Sequence, residues 1–257
     1  MKAKENTNNP LFSVVTVTFN AATVITPTIA SIEEQTCGDY EWLVIDGVSR
    51  DETLRLVEEA AVEHKRVVSE PDRGLYDAMN KAITLAEGSF LIWLNAGDAF
   101  AAPDVLQRLH DAATAHPDAG VLYGQTMLVD TLRHVTGPRH LTAPTVLTAD
   151  SFRNGMLVCH QAFVARRDLM PQYDMRYRFS ADYDWCIKVL RRSTLNVYLG
   201  DEPLIHFLDD SDGTTAKNRR ASLLERFRAM RRHYGLATAI LRHLAFIPRV
   251  IKRKFAR

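Results

Sequence analysis

Four short apolar segments alternate with three helical patterns in the first 98 residues, and this alternation limits the folds that the chain can adopt. The apolar segments occupy 11–18, 41–45, 66–69 and 90–95. Between them apolar residues recur every three or four positions, and a capping box, Ser49-x-x-Glu52, predicts the start of the second helix. Strands and helices that alternate through short links predict a parallel sheet with right-handed crossovers. We therefore expect an α/β fold.

The segment 69–81 and the strand that follows it indicate a ligand site. Pro71 and Gly74 interrupt any strand, and a helical pattern begins directly after them. Residues 90–95 form an unbroken apolar run, which is typical of a strand buried on both faces. Asp98 comes just beyond the carboxyl end of that strand, where open α/β sheets bind their ligands. This edge is the expected seat of function.

Polar side chains also end the other strands, at Asn20, Asp46 and Asn95. Any one of them alone would more simply be a helix N-cap or a turn residue. Their repetition favours function, because parallel strands bring these ends to the same edge of the sheet. Such an edge offers acceptors for a base and a ribose, and a hard oxygen ligand for a metal-bound diphosphate.

Individual residues suggest how a nucleotide would be held at this edge. Asp46 is placed to accept a hydrogen bond from a base or ribose, Arg73 could reach a phosphate, and the ring of Phe19 could stack on a base. Neither the glycine-rich dinucleotide fingerprint nor the P-loop occurs, so a divalent cation and side chains would neutralise the phosphates. Because no Cys/His cluster suits zinc, we expect Mg²⁺ or Mn²⁺ at Asp98.

The pattern changes near residue 120, where we place the boundary between a nucleotide lobe, 11–120, and an acceptor lobe, 121–216. The expected elements of the second lobe are an antiparallel pair at 121–129 and 133–136, a strand at 159–167, a helix opened by 179–185 and a last strand at 204–207. Asp182 falls in the first turn of that helix, where the helix dipole favours an ionised carboxylate.

Five motifs follow one another in a fixed order. They are 15–20 (VTVTFN), 44–53 (VIDGVSRDET), 70–81 (EPDRGLYDAMNK), 94–98 (LNAGD) and 181–184 (ADYD). Together they resemble the family-2 glycosyltransferases of the GT-A fold, and in particular enzymes of bacterial exopolysaccharide, capsule and O-antigen assembly, such as those of colanic acid synthesis. The resemblance covers residues 11 to 210 and implies a Rossmann-like mixed sheet, mainly parallel, flanked by helices.

The resemblance implies inverting transfer of a sugar from a nucleotide diphosphate donor, with Mg²⁺ or Mn²⁺ as cofactor. The positions that match the family's donor-binding motifs are Thr18, Phe19, Asn20, Asp46, Arg73, Gly74, Asp77, Asn95, Ala96 and Gly97. The family often has acids at the first and third places of its Asp-x-Asp-type motif, where this chain has Asn95 and Gly97. Asp98 is then the metal-binding acid of the motif, and we expect weak metal affinity until the donor binds.

The family's catalytic base lies in an acid pair that opens a helix, and Ala181 stands here at its first position. The resemblance therefore implies that Asp182 is the general base. The alternative is that Asp182 serves only as a helix N-cap. Its neighbours Tyr183 and Asp184 are expected to contact or orient the acceptor, although Asp184 could instead cap the helix.

Two histidines are further candidates. His160 and Gln161 could line the acceptor pocket because the family carries a similar pair there, although a lone histidine is more often a structural residue. His206 could be a second metal ligand. The polar segment 208–215 that follows it is rich in turn residues. We expect it to be mobile and to fold over the bound donor.

The C-terminal segment 217–257 is strongly basic. It contains 13 Lys and Arg and one acid, Glu225, whereas the rest of the chain has 19 basic and 30 acidic residues. Its apolar residues recur at helical spacing, which predicts a basic amphipathic helical extension that either packs on the body or lies on an anionic membrane surface. We favour the membrane, because a polyprenyl-diphosphate-linked saccharide acceptor would make docking useful. Nucleic acid is disfavoured, since the basic residues alternate with aliphatic side chains rather than base-stacking aromatics.

Composition and apolar patterning indicate a cytoplasmic protein. The segment 1–10 lacks the apolar core of a secretory signal, and no apolar run reaches the length of about 18 residues that a membrane span needs. Cys37, Cys159 and Cys186 form no C-x-x-C pair, which favours buried thiols in a reducing compartment. With the basic extension, we expect peripheral association with the inner face of the cell membrane.

Two other functions remain open from the sequence. A sugar nucleotidyltransferase would share the sheet architecture, but it would need a glycine-rich phosphate loop where this chain has 19–22 (FNAA). A catalytically weak or dead sugar-nucleotide-binding module would account for the thinned acidic motif at 95–98. Metal-dependent hydrolysis of the donor would separate such a module from an active transferase.

Overall fold

The computed structural model of the chain describes residues 9–209 and 218–255. Its first half confirms the predicted alternation of strands and helices. In order, the elements are β1 (Phe12–Thr18), α1 (Thr26–Glu33), β2 (Tyr40–Asp46), α2 (Thr53–Glu59), β3 (Lys65–Ser69), α3 (Leu75–Leu85) and β4 (Phe90–Trp93). The pairings β1–β2, β2–β3 and β1–β4 are all parallel, as predicted.

The second half adds strands of both directions and the remaining helices. In order, these elements are β5 (Ala99–Phe100), α4 (Val105–Ala115), β6 (Val121–Val129), β7 (Val135–Pro138), β8 (Phe163–Arg166), α5 (Ala181–Leu190), β9 (Asn196–Leu208), α6 (Arg219–Tyr234) and α7 (Leu236–Phe255). Short 3₁₀ turns lie at Ala149–Asn154, His160–Ala162 and Arg167–Leu169. The predicted antiparallel pair is confirmed as β6 and β7.

One mixed sheet runs through the described residues in the order β3-β2-β1-β4-β8-β6-β9-β5, with β7 added beside β6. β8 is antiparallel to both β4 and β6, and so it joins the strands of the two predicted lobes. β9 runs parallel to β6 and antiparallel to β5. Within the described part of the chain, the sheet therefore continues across the boundary that the sequence suggested near residue 120.

The centre of the sheet is buried on both faces. Every residue of β1 and of β4 is buried, which explains the unbroken apolar runs of the sequence. Helices supply the covering side chains, among them Ile29 and Ile32 of α1 and Met79 and Ala82 of α3. Each fully buried aliphatic side chain of this size contributes about 1.5–3 kcal/mol. This packing holds in place the strand ends that carry the polar side chains.

Three element boundaries differ from the prediction. The capping box is wrong, because α2 begins at Thr53 and the hydroxyl of Ser49 hydrogen-bonds the carboxylate of Asp46 instead. The strand predicted at 159–167 is shorter, since a 3₁₀ turn precedes β8. The last strand is longer than predicted, because pairing with β6 extends it back to Asn196.

The described part of the C-terminal extension is helical. α6 packs on α5, and α7 packs on α6 and on the 3₁₀ turn at Ala149–Asn154. No helix in the described ranges is both long enough and apolar enough to cross a membrane. The segment that we expected to fold over the donor, 208–215, lies from residue 210 onward outside the described residues.

Candidate active site

The loops that follow β1 and β2 are joined by hydrogen bonds. Asn20 donates from its N–H to Ser49 Oγ and accepts at Oδ1 from Arg50 N, both at 2.8 Å, while Ala21 N donates to Thr53 Oγ1 at 2.7 Å. Asn20 has a φ of 49°, a left-handed conformation that asparagine tolerates better than most residues. These bonds hold two of the predicted polar strand ends side by side.

Asp46 is fully buried at the end of β2, and its own chain occupies all four acceptor positions of its carboxylate. Oδ1 accepts from Thr18 Oγ1 at 2.9 Å and from Ser49 Oγ at 2.5 Å, while Oδ2 accepts from Ser49 N at 2.9 Å and Ser69 Oγ at 2.7 Å. Burial raises the pKa of Asp46, but these hydrogen bonds outweigh burial and the pKa is lowered overall. A base or ribose would have to displace one of these N–H or O–H groups. Contacts of Thr18 and Asp46 with the nucleotide-sugar therefore stay predictions.

Phe19 presents an open aromatic face at the same edge. Its side chain is 65% exposed, and it lies beside Gly47, where an added Cβ would come within 3.3 Å of the Phe19 ring. The same Cβ would come within 2.6 Å of Asp72 Oδ2. Because Gly47 has no side chain, the exposed ring of Phe19 has space beside it for a flat ligand. Base stacking by Phe19 therefore remains the prediction.

Arg73, Gly74 and Asp77 form the start of α3. Arg73 Nη2 pairs with Asp77 Oδ1 at 2.6 Å, and Arg73 N donates to Asp77 Oδ2 at 3.1 Å. Gly74 has a φ of 114°, which glycine adopts without the strain that a Cβ would cause. Because the guanidinium of Arg73 is exposed, its ion pair contributes little in water and leaves it able to turn towards a phosphate. That role stays a prediction.

The turn from Asn95 through Ala96 and Gly97 to Asp98 is clamped by Thr28 of α1. The hydroxyl of Thr28 accepts from Gly97 N at 2.9 Å and donates to Asp98 O at 2.6 Å. Asp98 N donates to Asn95 O at 2.9 Å and closes the turn. Gly97 has a φ of 97°, which explains why a residue without Cβ stands where the family often has an acid.

Asp98 is buried between this turn and the end of β9. Its Oδ2 accepts from Gln161 Nε2 at 2.7 Å, and its Oδ1 accepts from Leu208 N at 3.0 Å. Burial raises the pKa of Asp98 to about 7, although the hydrogen bonds from Leu208 and Gln161 and the charge of Arg133 act in the opposite direction. The carboxylate thus accepts from neutral donors and, among the described residues, forms no direct ion pair.

The residues at this turn fit a divalent cation as part of its ligand set. Asn95 Oδ1 is buried without a hydrogen-bond partner in the described part of the chain, and an oxygen of this kind suits Mg²⁺ or Mn²⁺. His206 pairs across the sheet with Ala99, which adjoins Asp98. The described residues contain no group of three or more His, Cys, Asp or Glu side chains that could hold a metal. Asn95, Asp98 and His206 would supply only part of the ligands, which suits a cation whose other ligands are phosphate oxygens.

Arg133, which the sequence motifs did not indicate, reaches this turn from the β6–β7 hairpin. Its Nη1 donates to Gly97 O at 2.6 Å. Burial lowers the pKa of His206, and the nearby charge of Arg133 lowers it further. A guanidinium therefore lies in the electrostatic surroundings of both predicted metal ligands.

Asp182 lies in the first turn of α5, as predicted. Its Oδ1 accepts from the hydroxyl of Tyr76 at 3.2 Å and from Tyr183 N at 2.9 Å. Its Oδ2 has no hydrogen-bond partner among the described residues. The N-cap of α5 is Ser180, two residues before Asp182. The position of Asp182 thus does not require the N-cap role, and one oxygen is available to accept a proton.

His160 is buried in a cluster of aromatic rings. Its Nε2 lies 2.6 Å from the hydroxyl of Tyr173, and its ring stacks on Trp93 with 5.6 Å between centroids. Trp185 approaches the His160 ring edge-on and stacks on Tyr173. Burial lowers the pKa of His160 to about 4, so the imidazole is neutral near pH 7.

The adjacent residues His160 and Gln161 connect the surroundings of the two candidate acids. Gln161 donates directly to Asp98, whereas His160 lies close enough to Asp182 for that carboxylate to raise its pKa in part. That Asp98 and Asp182 border one cleft stays a prediction. An acceptor role for His160 and Gln161, both nearly buried, stays a prediction.

Tyr183 and Asp184 face away from this region. Tyr183 is 1% exposed and its hydroxyl donates to Phe152 O at 2.7 Å. Asp184 is fully buried, with Lys188 Nζ at 2.5 Å and His233 Nε2 at 2.7 Å. Burial raises the pKa of Asp184, but the hydrogen bonds from His233 and Lys188 outweigh it and lower the pKa overall. Acceptor contacts by these two residues stay predictions that their present contacts do not support.

Glu225 of α6 binds the backbone that leads into α5. Its carboxylate accepts from three consecutive N–H groups, those of Arg178 at 2.9 Å, Phe179 at 2.8 Å and Ser180 at 3.0 Å. Ser180 Oγ also lies 2.9 Å from Ser222 Oγ of α6. The single acid of the basic extension therefore fixes, from another helix, the backbone that leads into α5 up to its N-cap Ser180.

Four residues of the site region were given no role from the sequence, although two of them, Tyr76 and Asn80, lie within the motif 70–81. Tyr76 and Asn80 stand four positions apart on α3 and so share one face. Asn80 accepts from Tyr173 N at 2.6 Å and donates to Tyr173 O at 3.1 Å. Two polar side chains at this spacing beside the apolar stripe were a usable signal, as was the isolated acid Glu225. Arg133 has no local signal.

The mixed sheet, with its parallel first half and its flanking helices, defines the GT-A fold. S. aureus TarS 1–349 in complex with UDP-GlcNAc matches with a TM-score of 0.72 and 18% identity, over 91% of this chain and 73% of that chain. A mannosyltransferase from Pyrobaculum calidifontis, in complex with GDP-Man and Mn²⁺, matches with a TM-score of 0.61 and 19% identity, over 93% of this chain and 76% of that chain. The predicted fold is confirmed.

Sequence comparison narrows the class to a family. The family model described as Glycosyl transferase family 2 matches residues 13–173. A PGL/p-HBAD biosynthesis glycosyltransferase of Mycobacterium bovis is 34% identical over 192 residues, which are 72% of this chain and 72% of that protein. The chain belongs to glycosyl transferase family 2, as its motifs predicted.

Proposed function

We propose that this glycosyltransferase moves a sugar from a nucleotide diphosphate donor to a saccharide acceptor with inversion at the anomeric carbon. The observation that carries the proposal is the position of Asp182. One of its oxygens is fixed by Tyr76 and by Tyr183 N, the other has no partner among the described residues, and His160 and Gln161 join its surroundings to Asp98. One carboxylate is thus available for a proton, and a second, Asp98, lies in the turn that resembles the family's donor motif.

Proton transfer to Asp182 is the chemical step that the chain itself supplies. The acceptor hydroxyl oxygen bonds to the anomeric carbon while the bond from that carbon to the nucleoside diphosphate breaks. The hydroxyl proton passes to Asp182 Oδ2, and the electron pair of the broken bond leaves with the diphosphate. A base within hydrogen-bond reach accelerates such a step by about 10²–10⁴-fold. Because base and leaving group act on opposite sides of the carbon, the expected outcome is inversion.

Asp98, Asn95 and His206 would hold the Mg²⁺ or Mn²⁺ near the donor. When bound, the cation would stabilise the negative charge that gathers on the departing diphosphate. The buried carboxylate of Asp98 accepts only neutral donors in the described part of the chain, so a cation there would favour its charged form. The two similar GT-A structures are complexes with UDP-GlcNAc, and with GDP-Man and Mn²⁺, which makes these two donors the first probes.

We further propose that the acceptor is lipid-linked, as in surface polysaccharide synthesis, and that α7 brings the enzyme to an anionic membrane. Leu236, Ile240, Leu241 and Leu244 of α7 are exposed, in a segment with 13 Lys and Arg and one acid. Exposed apolar side chains among basic ones match the interfacial region of an anionic bilayer. Each engaged basic residue would add about 1 kcal/mol. The expected location is the inner face of the cell membrane.

Asp182→Asn is the test of the catalytic assignment. Donors are first screened by thermal shift with Mn²⁺, and nucleoside diphosphate release is then measured with those that bind. We expect the variant to lose about 10³-fold in rate. Donor affinity should stay within about twofold, because Asn preserves the shape of the side chain and the acceptor to Tyr76. Asp111→Asn, on the exposed face of α4, is the matched control and should keep wild-type rate.

Substantial transfer by a folded Asp182→Asn variant would refute the base assignment. Failure of the wild type to release nucleoside diphosphate from any bound donor with Mg²⁺ or Mn²⁺ would favour the catalytically dead binding module. Transfer that yields a retained anomeric configuration, measured by NMR of the product, would contradict the inverting mechanism.

A further inference from the structure

The tip of the β6–β7 hairpin is a tight turn that presents Arg133. Asp130 Oδ1 accepts from Leu132 N at 2.9 Å and from His134 N at 2.8 Å, and Asp130 N donates to His134 O at 3.0 Å. Arg133 N donates to Asp130 O at 3.0 Å. Four hydrogen bonds centred on one aspartate therefore define the backbone on which Arg133 stands.

This turn places Arg133 in a left-handed conformation, with a φ of 69°. Such a φ is unfavourable for a residue with a Cβ and is retained where the surroundings impose it, which is common at functional sites. The side chain of Leu132 is 74% exposed, and that of His134 is exposed as well. Arg133 differs from both neighbours, because it is partly buried and reaches across to Gly97.

The guanidinium of Arg133 carries more donors than its own chain uses. Nη1 donates to Gly97 O at 2.6 Å, and the described residues provide no second acceptor and no carboxylate within 4.0 Å of it. A guanidinium has five N–H donors in a planar fork. Several of these donors are therefore available to a ligand at the 95–98 turn.

We propose that Arg133 binds the diphosphate of the donor. The inference rests on the proposed function, since it concerns the anionic part of a nucleotide-sugar held at the same turn. A planar guanidinium pairs with two phosphate oxygens at once, and a lysine cannot reproduce this geometry. The turn of this chain has one acid, Asp98, where the family often has more, so positive charge from Arg133 makes the site favourable for an anion. The left-handed turn then serves to aim the guanidinium at the phosphates.

Binding of UDP and GDP to the full-length chain tests the proposal. Titrations are made with Mg²⁺ and with EDTA for the wild type, Arg133→Gln and Arg133→Lys, and the nucleosides uridine and guanosine are titrated by ligand-observed NMR. Arg133→Gln should weaken binding of the nucleoside diphosphate by about tenfold or more, since it removes charge-assisted hydrogen bonds. Arg133→Lys should give an intermediate loss, and nucleoside binding should stay within about twofold, because the phosphates are the proposed contact.

Arg55→Gln is the matched control, because it removes one exposed positive charge from α2, where Arg55 pairs with Glu52 and Glu59 among the described residues. It should leave nucleotide affinity unchanged. If Arg133→Gln does not fold, the loss on Arg133→Lys in a chain with wild-type thermal stability carries the test.

Three outcomes would overturn the inference. Wild-type affinity of the folded Arg133 variants for UDP and GDP would refute phosphate contact while leaving the proposed function intact. An equal loss for nucleosides and nucleoside diphosphates would mean that Arg133 only fastens the hairpin to Gly97. A wild type that binds neither UDP nor GDP nor any other nucleoside diphosphate would refute the proposed function together with the inference.

Discussion

Tyr76 connects helix α3, in the first half of the chain, to the candidate base Asp182. Its hydroxyl donates to Asp182 Oδ1 at 3.2 Å, and its ring stacks on Tyr173 with 5.3 Å between centroids. Burial raises the pKa of Tyr76 far above its usual value, and the charge of Asp182 adds to this, so the phenol remains a donor at working pH. Tyr76 touches the base rather than the reacting atoms, which makes it a positioning residue.

Tyr76→Phe should lower kcat about fivefold while the donor KM stays within about twofold. The substitution keeps the stacked ring but removes the hydrogen bond that fixes Asp182 Oδ1, and such a bond contributes about 1 kcal/mol. Steady-state release of nucleoside diphosphate gives both constants, and urea unfolding gives the accompanying loss of stability, expected to be about 1 kcal/mol.

Tyr40→Phe is the control for this prediction. Its hydroxyl donates to Ile32 O at 3.2 Å, a bond of the same length far from the candidate site. It should cost similar stability and leave kcat unchanged. If both variants lower kcat equally, the effect of Tyr76 is one of stability and not of position.

At the scale of elements, the connection of α6 to α5 determines how the base is held. A helix begins with N–H groups that lack partners inside the helix, and short polar side chains just before it usually accept from them. Here no side chain of the N-cap Ser180 does so. Glu225 accepts from three N–H groups at this end instead. α6 is therefore tied to the start of α5 by hydrogen bonds, and we expect its removal to disturb the position of Asp182.

Glu225→Ala should destabilise the protein by about 2 kcal/mol or more and reduce kcat in the fraction that stays folded. The change leaves three backbone N–H groups without an acceptor, and loss of a helix cap alone costs about 1 kcal/mol. Glu225→Gln retains one acceptor oxygen, so its stability and kcat should lie between those of the wild type and of Glu225→Ala. Glu63→Ala, an exposed acid before β3, is the control and should alter neither quantity. Unfolding in urea and kcat at a temperature well below Tm measure both effects.

A wild-type kcat in a destabilised Glu225→Ala variant would contradict the positioning role. It would show that Glu225 holds α6 on the body without holding Asp182 in place.

The elements most faithfully predicted from sequence are those set by local burial patterns. β1 and β2 were located to within one residue at either end because both faces are apolar, and the start of α3 followed from Gly74. The error at Ser49 has a physical cause: its hydroxyl has a better partner in Asp46 than in the helix. What could not be predicted depends on distant pairs. Tyr76 and Asp182 lie 106 positions apart, and no local sequence pattern around either residue predicts their contact.

At the scale of the whole molecule, charge is divided between an acidic body and a basic C-terminal segment. α7 packs on α6. Its leucines are exposed, and Leu241 is 66% exposed. Deleting all of 217–257 would also remove Glu225, so the loss of membrane binding could not be separated from damage to α5. Substitutions confined to exposed positions of α7 avoid this difficulty.

The double variant Leu241→Gln, Leu244→Gln should lose most of its co-sedimentation with vesicles that contain anionic lipid. Both side chains are exposed, so the body should stay folded and bind its donor as before. The wild type should sediment with anionic vesicles, less at high salt because the attraction is screened, and little with zwitterionic ones. Val146→Gln, an exposed apolar residue outside α7, is the control.

Equal sedimentation of the wild type and the double variant would rule out docking through these leucines. Wild-type binding that is insensitive to both salt and lipid charge would contradict an anionic surface as the partner.

Strand β8 has a consequence for exchanging parts between relatives. It lies between β4 and β6 and hydrogen-bonds to both, so the two predicted lobes share a strand interface in the middle of the sheet. In a hybrid enzyme joined at residue 120, β4 would come from one parent and β8 from the other. The side chains of these two strands would not have evolved to pack on each other. A junction after Arg166 would keep β4, β8 and β6 within one parent but would divide β9 from its partners β6 and β5. Recombination to alter acceptor choice should therefore exchange loops and helices and keep all strands of the sheet from one parent.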